Sequence, residues 1–238
     1  MGRRLHAHLL GENGVSFPLT KGGWKGKEAI LVGGGPSLQG FDWSLLANHP
    51  RVVVINRAFK DVPTAAVWFS EDFDVITRLW GTTPEWTGFK GVKVLHALDK
   101  KFERLVEEVD PGVHFLRTAR EGKFWAKDFS EGLSYSSNSM IGALNLVDIM
   151  GADPICLLGV DCQERGEREV NYHEDYDKRG NPRAGDAQYR SFKSDFENWA
   201  AWHLRGREVI NLNPTSAVTC WPKEDAVTYL TSSLHASA

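Results

Sequence analysis

Short apolar runs of strand length recur along the chain, and helix-like or polar segments separate them. Strands are predicted at residues 29–32, 51–56, 65–70, 91–97, 112–117, 153–162 and 207–214. The run DPICLLGVDC is apolar almost throughout, as in a strand that is buried on both faces. Strands that alternate with helices predict an α/β, Rossmann-like fold, in which a mostly parallel sheet carries helices on both faces.

Helix signals fill most of the gaps between these strands. Asp42 is a good N-cap for a short helix, and further helices are predicted at 71–80 and 187–206. The clearest helix follows the serine-rich segment 134–139, because its apolar residues cover a broad face and Gly151 is a natural C-cap.

The length of the chain, 238 residues, suits one large domain. We expect a loose lead-in at residues 1–25 and a single nucleotide-binding domain at 26–238. Within that domain the stretch 163–186 is strongly polar and contains Gly and Pro, which predicts a long loop or lid.

Composition narrows the class of protein. A hydrophobic content of 42% and a charged content of 25% are typical of a soluble globular protein. The net charge of -3 argues against a surface that binds nucleic acid everywhere, although a local basic groove stays open. Three cysteines without a CxxC pair indicate a reducing compartment. No apolar run approaches the ~20 residues that span a bilayer, and the N-terminus lacks a signal-peptide pattern. We therefore expect a cytoplasmic protein without a membrane span. The sequence is compatible with a monomer and with a homo-oligomer.

The first strand runs directly into three glycines, in the sequence AILVGGGPSL at residues 29–38. Glycine permits a positive φ at a sharp turn, and bare N–H groups ahead of a helix form a site for phosphate. We predict that this loop binds a nucleotide through Gly33, Gly34, Gly35, Pro36 and Ser37. A tight turn without a ligand is the alternative, since the loop matches neither the dinucleotide fingerprint nor the Walker A pattern.

Polar residues stand at the ends of other predicted strands. Asn56 ends the second strand, where its amide suits a ribose hydroxyl or a simple turn. Glu71, Asp72 and Asp74 follow the third strand and suit a divalent metal, an acceptor hydroxyl or the start of a helix. Because parallel strands end at one edge of the sheet, these residues and Asp161 are predicted to meet in one crevice. We predict nucleotide contacts for Asn56 and Asp72 and a catalytic role for Asp161.

The sequence LSYSSNSM precedes the clearest helix. Hydroxyl groups at a helix N-terminus cap the helix or hold an anion. One capping residue is enough for the first task, so the number of polar residues favours the second. We predict that Ser136, Ser137 and Asn138 bind the nucleotide.

Together these motifs resemble a known group of enzymes. The motifs VGGGPSL, SSNSMIGALNLVDIMGADPICLLGVDC and NLNPTSA are similar to those of the bacterial CMP-sialic-acid-dependent sialyltransferases, glycosyltransferase family 42. They also resemble the MptE-like family, which includes archaeal 6-hydroxymethylpterin diphosphokinase and flagellin glycosylation proteins. The resemblance spans roughly residues 27–215, and small phage and bacterial proteins share its aromatic-His-x-Asp element at 172–175. It implies a sialyltransferase-like fold.

The resemblance also implies roles for particular residues. The Gly-Pro-Ser-Leu loop would lie against the phosphate of a CMP donor. Asn56 would contact the donor nucleotide, as would Ser136 or Ser137. The catalytic base of the family is a histidine after the Gly-x-Asp strand, which corresponds here to His173.

The residues next to His173 support a catalytic role for it independently of the resemblance. A neighbouring carboxylate orients an imidazole and raises its basicity, and both Glu174 and Asp175 follow His173 directly. We predict that His173, Asp175 and Asp161 are catalytic, with His173 deprotonating an acceptor hydroxyl. An exposed loop histidine is the alternative. His96, at the end of the fourth strand, is a rival base that a core position would explain equally well.

Three functions remain open from the sequence. The first is a glycosyltransferase that moves a sugar from a nucleotide-activated donor, such as a CMP-sugar, to an acceptor hydroxyl without a bound metal. Its acceptor could be a glycan, a small molecule or modified DNA. The second is an ATP-dependent diphosphokinase, which alone would need Mg²⁺. The third is a non-catalytic module that binds a nucleotide without turnover.

Overall fold

The computed structural model describes residues 18–97, 100–119, 125–163, 171–173 and 186–236. Within these residues the strands are β1 (Ala29–Val32), β2 (Val52–Ile55), β3 (Val67–Ser70), β4 (Val92–Ala97), β5 (Val113–Arg117), β6 (Ile155–Leu158) and β7 (Val209–Asn211). They form one parallel sheet in the order β5-β4-β3-β2-β1-β6-β7. Each strand lies within one of the seven predicted runs, so the α/β class with a parallel sheet is confirmed.

Helices connect and cover these strands. The α-helices of the described residues are α1 (Pro84–Gly88), α2 (Lys100–Val109), α3 (Ser139–Met150), α4 (Asp186–Asp195), α5 (Ala201–His203) and α6 (Ala226–Ala236). Short 3₁₀ segments occupy Pro36–Leu38, Trp43–Leu46, Asn56–Lys60 and Phe129–Glu131, and π-helical segments occupy Val75–Trp80 and Phe196–Ala200. In the described part of the chain, no helix is both long and apolar enough to span a bilayer.

Three predicted helices are not regular α-helices. The short helix predicted after Asp42 is a 3₁₀ segment at Trp43–Leu46, with Asp42 as its N-cap. The segment predicted as a helix at 71–80 is π-helical over Val75–Trp80. The helix predicted at 187–206 consists of α4, a π-helical segment and α5. A π turn adds one residue to a helical turn, and Phe196 and Trp199 of the second segment are both buried against the sheet.

Two hydrophobic cores lie on opposite faces of the sheet, because successive side chains of a strand point to opposite sides. Leu31 of β1 packs into the core that contains α3 and the π-helical segment after α4. Ile30 packs into the core that contains α2, α6 and the π-helical segment after β3. Helices thus cover both faces, as predicted.

α3 is the most deeply buried helix of the two layers. Asp148 is the one residue of this helix that is not buried, so the helix contacts the rest of the fold on nearly every side. Gly151 ends it with a φ of 80°, which confirms the predicted left-handed C-cap. The backbone N–H groups of Gly22 and Trp24, within the predicted lead-in, donate to carbonyl groups at this end of α3 (3.0 and 2.8 Å).

The order of the strands reverses next to β1. The chain adds β2 to β5 outwards from one side of β1, and then returns through α3 to place β6 on the other side. The N–H of Gly33 donates to the carbonyl oxygen of Leu158 (2.8 Å), so the pairing of β1 with β6 continues to the carboxyl edge. A crevice for ligands is expected at such a reversal.

Candidate functional site

A cavity of about 470 Å³ opens at the carboxyl edge of the sheet, where β1 and β6 end. This volume is within the range of small-molecule sites. The predicted site residues that line it are Gly33, Gly34, Gly35, Pro36, Asn56, Asp72, Ser136, Ser137, Asn138, Asp161 and His173. Ser37 is not part of the lining. Asp175 lies outside the described residues, and so do residues 164–170 and 174–185 of the predicted lid.

The glycines of the first loop serve close packing and not, as expected from the sequence, a positive φ. Gly33, Gly34 and Gly35 are not among the residues with positive φ. A Cβ on Gly33 would lie 2.7 Å from the carbonyl oxygen of Gly159, and a Cβ on Gly35 would lie 2.6 Å from Cγ of Asp161. The loop after β1 presses against the end of β6, and only glycine leaves room at these two positions.

The helix behind this loop is too short for the predicted phosphate site. Pro36–Leu38 is a single 3₁₀ turn, which has almost no helix dipole. The helix N-terminus that faces the cavity is that of α3, whose N-cap Asn138 and first residues, Ser139 and Met140, line the wall. The start of α3 is therefore the place where a helix N-terminus could bind an anion, and the 3₁₀ turn behind the glycine loop is not.

Asp161 holds the glycine loop in place. Its Oδ2 accepts a hydrogen bond from the N–H of Ser37 (2.6 Å), and its Oδ1 accepts from the Ser37 hydroxyl (2.6 Å) and from Nδ2 of Asn213 (2.7 Å). Asp161 is only 5% exposed. Its oxygens thus hold the loop against the end of β6, and the predicted catalytic role of Asp161 stays a prediction.

Replacing Gly35 by alanine is expected to lower the free energy of unfolding by about 1–3 kcal/mol, because the new methyl group would overlap Asp161. The backbone of Gly35 has a φ of -66°, which alanine adopts without strain, so the loss comes from the overlap and not from the backbone conformation. Urea denaturation measures it. Gly88→Ala is the matched control, because nothing lies within 4 Å of the new Cβ there. Equal stability of the two variants would contradict the packing argument.

Asn56 is held in a left-handed conformation at the end of β2, with a φ of 52°. Its Oδ1 accepts from the hydroxyl of Ser70 (2.6 Å), and its carbonyl oxygen accepts from the indole of Trp68 (2.8 Å). Its Nδ2 donates to Oδ2 of Asp72 at 3.5 Å. Asparagine is among the few residues that this region tolerates. Asn56 and Asp72 thus present a fixed donor and acceptor to the cavity, which suits the hydroxyl groups of a ribose or another sugar.

Some of the polar residues before α3 form hydrogen bonds within the fold, and others are left to face the cavity. Ser137 donates from its N–H and its hydroxyl to Oδ2 of Asp195 (3.2 and 2.5 Å), so its hydroxyl hydrogen is used within the fold. The hydroxyl of Ser136 accepts from the N–H of Asn138 (3.4 Å). Both amide atoms of Asn138 are buried and have no hydrogen-bond partner among the described residues. The amide of Asn138 therefore remains for a ligand.

His173 lies in the cavity wall, and its neighbour Tyr172 fixes its position. The N–H of Tyr172 donates to the carbonyl oxygen of Gly34 (3.3 Å), and its hydroxyl donates to Oδ2 of Asp61 (2.8 Å). The guanidinium of Arg57 lies 5.4 Å from the centre of the Tyr172 ring. The ring of His173 packs edge-on against that ring, with the two centres 4.9 Å apart.

Arg57 and Asp61 were not among the predicted site residues. They form an ion pair, and Arg57 is the one Lys or Arg in the lining formed by the described residues. The sequence carries a signal for them, since Arg57 follows Asn56 directly and Asp61 stands at the i+4 position.

A second buried pair joins β4 to the cavity. Oε1 of Glu71 lies 3.1 Å from Nδ1 of His96, and the two side chains are 8% and 0% exposed. Burial raises the pKa of Glu71 well above its usual value, and the charges of Asp72 and Asp195 raise it further. Burial also lowers the pKa of His96 to about 4. Glu71 lines the cavity, whereas His96 lies behind it and not in the lining.

The carboxylates near the cavity do not converge on a metal position. In the described ranges, no three His, Cys, Asp or Glu side chains form a group that could hold a metal ion. Asp74, which the sequence grouped with Glu71 and Asp72, is not part of the lining.

No known protein family matches the sequence, and no curated protein matches it. The MAf glycosyltransferase from Magnetospirillum magneticum AMB-1 has a similar structure, with a TM-score of 0.57 and 11% sequence identity over 92% of this chain. This chain spans 38% of the length of that protein. At this identity the likeness shows a common fold, which agrees with the predicted Rossmann-like class.

The sialyltransferase CstII from Campylobacter jejuni, in complex with cytidine-5'-monophosphate, gives a TM-score of 0.49 at 12% identity, over 84% of this chain and 85% of that one. A second structure of CST-II, with a trisaccharide acceptor and CMP, gives 0.46 at 14% identity, over 83% and 86%. The resemblance to the MptE-like family and to phage proteins stays a prediction.

Proposed function

We propose that this chain is a glycosyltransferase that moves a sugar from a nucleotide-activated donor to an acceptor hydroxyl. The observation that carries the proposal is convergence: the ends of β1, β2, β3 and β6 and the start of α3 meet in one cavity, with His173 in its wall. Parallel sheets bind nucleotides where their strand order reverses. The fold, which a solved glycosyltransferase shares, is compatible with this reaction class.

A donor with a single phosphate suits the charges of the cavity best. Arg57 is the one Lys or Arg of the described lining, and the carboxyl groups of Asp72 and Asp161 also belong to the wall. A nucleoside triphosphate would bring several negative charges to this wall, where Arg57 is the one Lys or Arg that the described residues supply to balance them. A CMP-sugar, the donor of the family that the sequence resembles, brings one phosphate charge and is our first candidate.

His173 would act as the base of the reaction. It would take the proton of the acceptor hydroxyl, whose oxygen attacks the anomeric carbon of the donor sugar. The bond from that carbon to the phosphate oxygen breaks, and the nucleotide leaves with the electron pair. The N–H groups at the start of α3 and the guanidinium of Arg57 would stabilise the leaving phosphate. A glycan, a small molecule or modified DNA would supply the acceptor hydroxyl.

Thermal shift with CMP, CTP, UDP, GDP, ADP and ATP, each with Mg²⁺ and with a chelator, tests the donor. At ~100 times its dissociation constant a ligand stabilises a protein by about 2.7 kcal/mol. We expect CMP to give the largest shift and the chelator to leave it unchanged. A shift that appears only with ATP and Mg²⁺ would replace this proposal by phosphoryl transfer, and the absence of any shift would reduce the glycine loop to a packed turn.

A further inference from the structure

Glu71 occupies an unusual place for a carboxyl group. Its side chain is 8% exposed, and among the described residues His96 is the one basic side chain within 4 Å of its carboxyl group. The carboxylates of Asp72 and Asp195 are near enough to oppose its ionisation. A carboxylate in such surroundings, without Lys or Arg, is strongly disfavoured relative to the protonated acid. Perturbed carboxyl groups in the wall of a cavity are characteristic of functional sites.

The contacts of Glu71 leave one of its oxygens to the cavity. Oε1 is directed at His96 and lies 2.6 Å from the position that a Cβ on Gly142 would take. The N–H of Glu71 donates to the hydroxyl of Ser139 (3.2 Å), which ties the residue to the first turn of α3. Oε2 has no hydrogen-bond partner in the described part of the chain, and Glu71 belongs to the lining.

The start of α3 supplies further donors at the same place. The first N–H groups of a helix have no partner within the helix, and they form the positive end of its dipole. α3 has 12 residues, and its N-cap Asn138 makes no side-chain capping bond. The amide of Asn138 is buried and lacks a partner among the described residues. An anionic oxygen here would meet N–H groups, this amide and the carboxyl group of Glu71.

We propose that the start of α3 is an anion subsite, and that protonated Glu71, supported by His96, donates a hydrogen bond from Oε2 to the bound anion. Ionised Glu71 would repel the same anion, so the subsite binds only while Glu71 holds its proton. The identity of the anion, the phosphate of the donor, rests on the proposed function. The subsite itself does not.

Among the described groups around Glu71, Glu71 itself is the one whose charge is expected to change as the pH rises. Asp72 after β3 and Asp195 on α4 face it as carboxylates, and α3 presents only uncharged groups. His96 on β4 has a pKa lowered to about 4 by burial, so it stays neutral throughout the alkaline range. Since the pKa of Glu71 is raised by its burial, loss of the anion is expected above the ordinary range of carboxyl groups.

Sulfate is the probe of choice, because its charge does not change between pH 5.5 and 9.5. The rise in melting temperature caused by sodium sulfate, relative to sodium chloride at equal ionic strength, is measured for the wild type, Glu71→Gln and Glu71→Ala. Glutamine is a neutral donor of nearly the same shape, and the general effect of sulfate on protein stability cancels between variants. At pH 6 we expect equal rises for the wild type and Glu71→Gln and a smaller one for Glu71→Ala.

With rising pH the sulfate affinity of the wild type is expected to fall about tenfold per pH unit once Glu71 ionises, whereas that of Glu71→Gln stays constant. A wild type that keeps pace with Glu71→Gln to pH 9.5 would overturn the proposal, and so would an equal sulfate effect in all three proteins at pH 6. If Glu71→Ala does not fold, the comparison of the other two decides alone. The rise in melting temperature caused by CMP and by cytidine is measured in the same assay. Sulfate binding that follows Glu71 while neither nucleotide compound binds would refute the proposed function and leave the anion subsite standing.

Discussion

Replacing Asp161 by alanine is expected to lower the free energy of unfolding by about 3–5 kcal/mol, because one buried and two partly buried donors lose their acceptor. These donors are the N–H and hydroxyl of Ser37 and the amide of Asn213. Urea denaturation measures the loss of stability. Because the same contacts hold the glycine loop against β6, nucleotide binding should be lost in the variant even where it remains folded.

Asp225→Ala is the matched control for this effect. Asp225 also accepts from one N–H and one hydroxyl, both of Thr228, but it lies exposed at the start of α6. Loss of such an exposed cap costs about 1 kcal/mol. If the two alanine variants lost the same amount of stability, the contacts of Asp161 would contribute no more than those of an exposed cap. That result would contradict the role of Asp161 in holding the loop.

Replacing His173 by alanine is expected to lower the rate of sugar transfer by about 10²–10⁴-fold, the usual contribution of a positioned general base. The affinity for CMP should not change, since the proposed role of His173 is towards the acceptor and not the nucleotide. Release of the nucleotide from a CMP-sugar, in the presence of an acceptor found by screening, measures the rate. Calorimetry with CMP measures the affinity.

His203→Ala serves as the control, because His203 packs against Trp125 and is not part of the cavity lining. It should transfer sugar at the rate of the wild type. A His173→Ala variant that remains fully active would exclude His173 as the base. A variant that loses CMP binding as well would make His173 part of the nucleotide site instead.

The sheet was predictable because β1, β2 and β6 are continuous apolar runs and the other strands are short segments rich in apolar residues. α3 was predictable because its apolar face ends at Gly151. α2 and α6 were not predicted, although Phe102, Val106 and Val109 of α2 recur at helical spacing. Many charged residues stand between those three, and they obscure the helical periodicity of the apolar residues.

The members of the cavity were also largely predictable, since strand ends meet at one edge of a parallel sheet. The contacts that these residues make, and therefore their roles, were not predictable from the sequence. The need for glycine at position 33 depends on how β1 aligns with Gly159, which follows β6. The pairing of Glu71 with His96 depends on β3 and β4 being neighbours. Such contacts between distant residues are set by the alignment of strands, and local sequence patterns do not encode it.

The position of β1 between β2 and β6 has a consequence during synthesis on the ribosome. Ser37 and Asp161 are 124 residues apart in the chain, so a ribosome needs roughly 6–25 s to proceed from one to the other. During that time β1 lacks its β6 neighbour, and one row of its backbone N–H and C=O groups is unpaired. The nascent chain therefore carries an open apolar edge at Ala29–Val32 until β6 has emerged, and the cavity at the carboxyl edge forms only then.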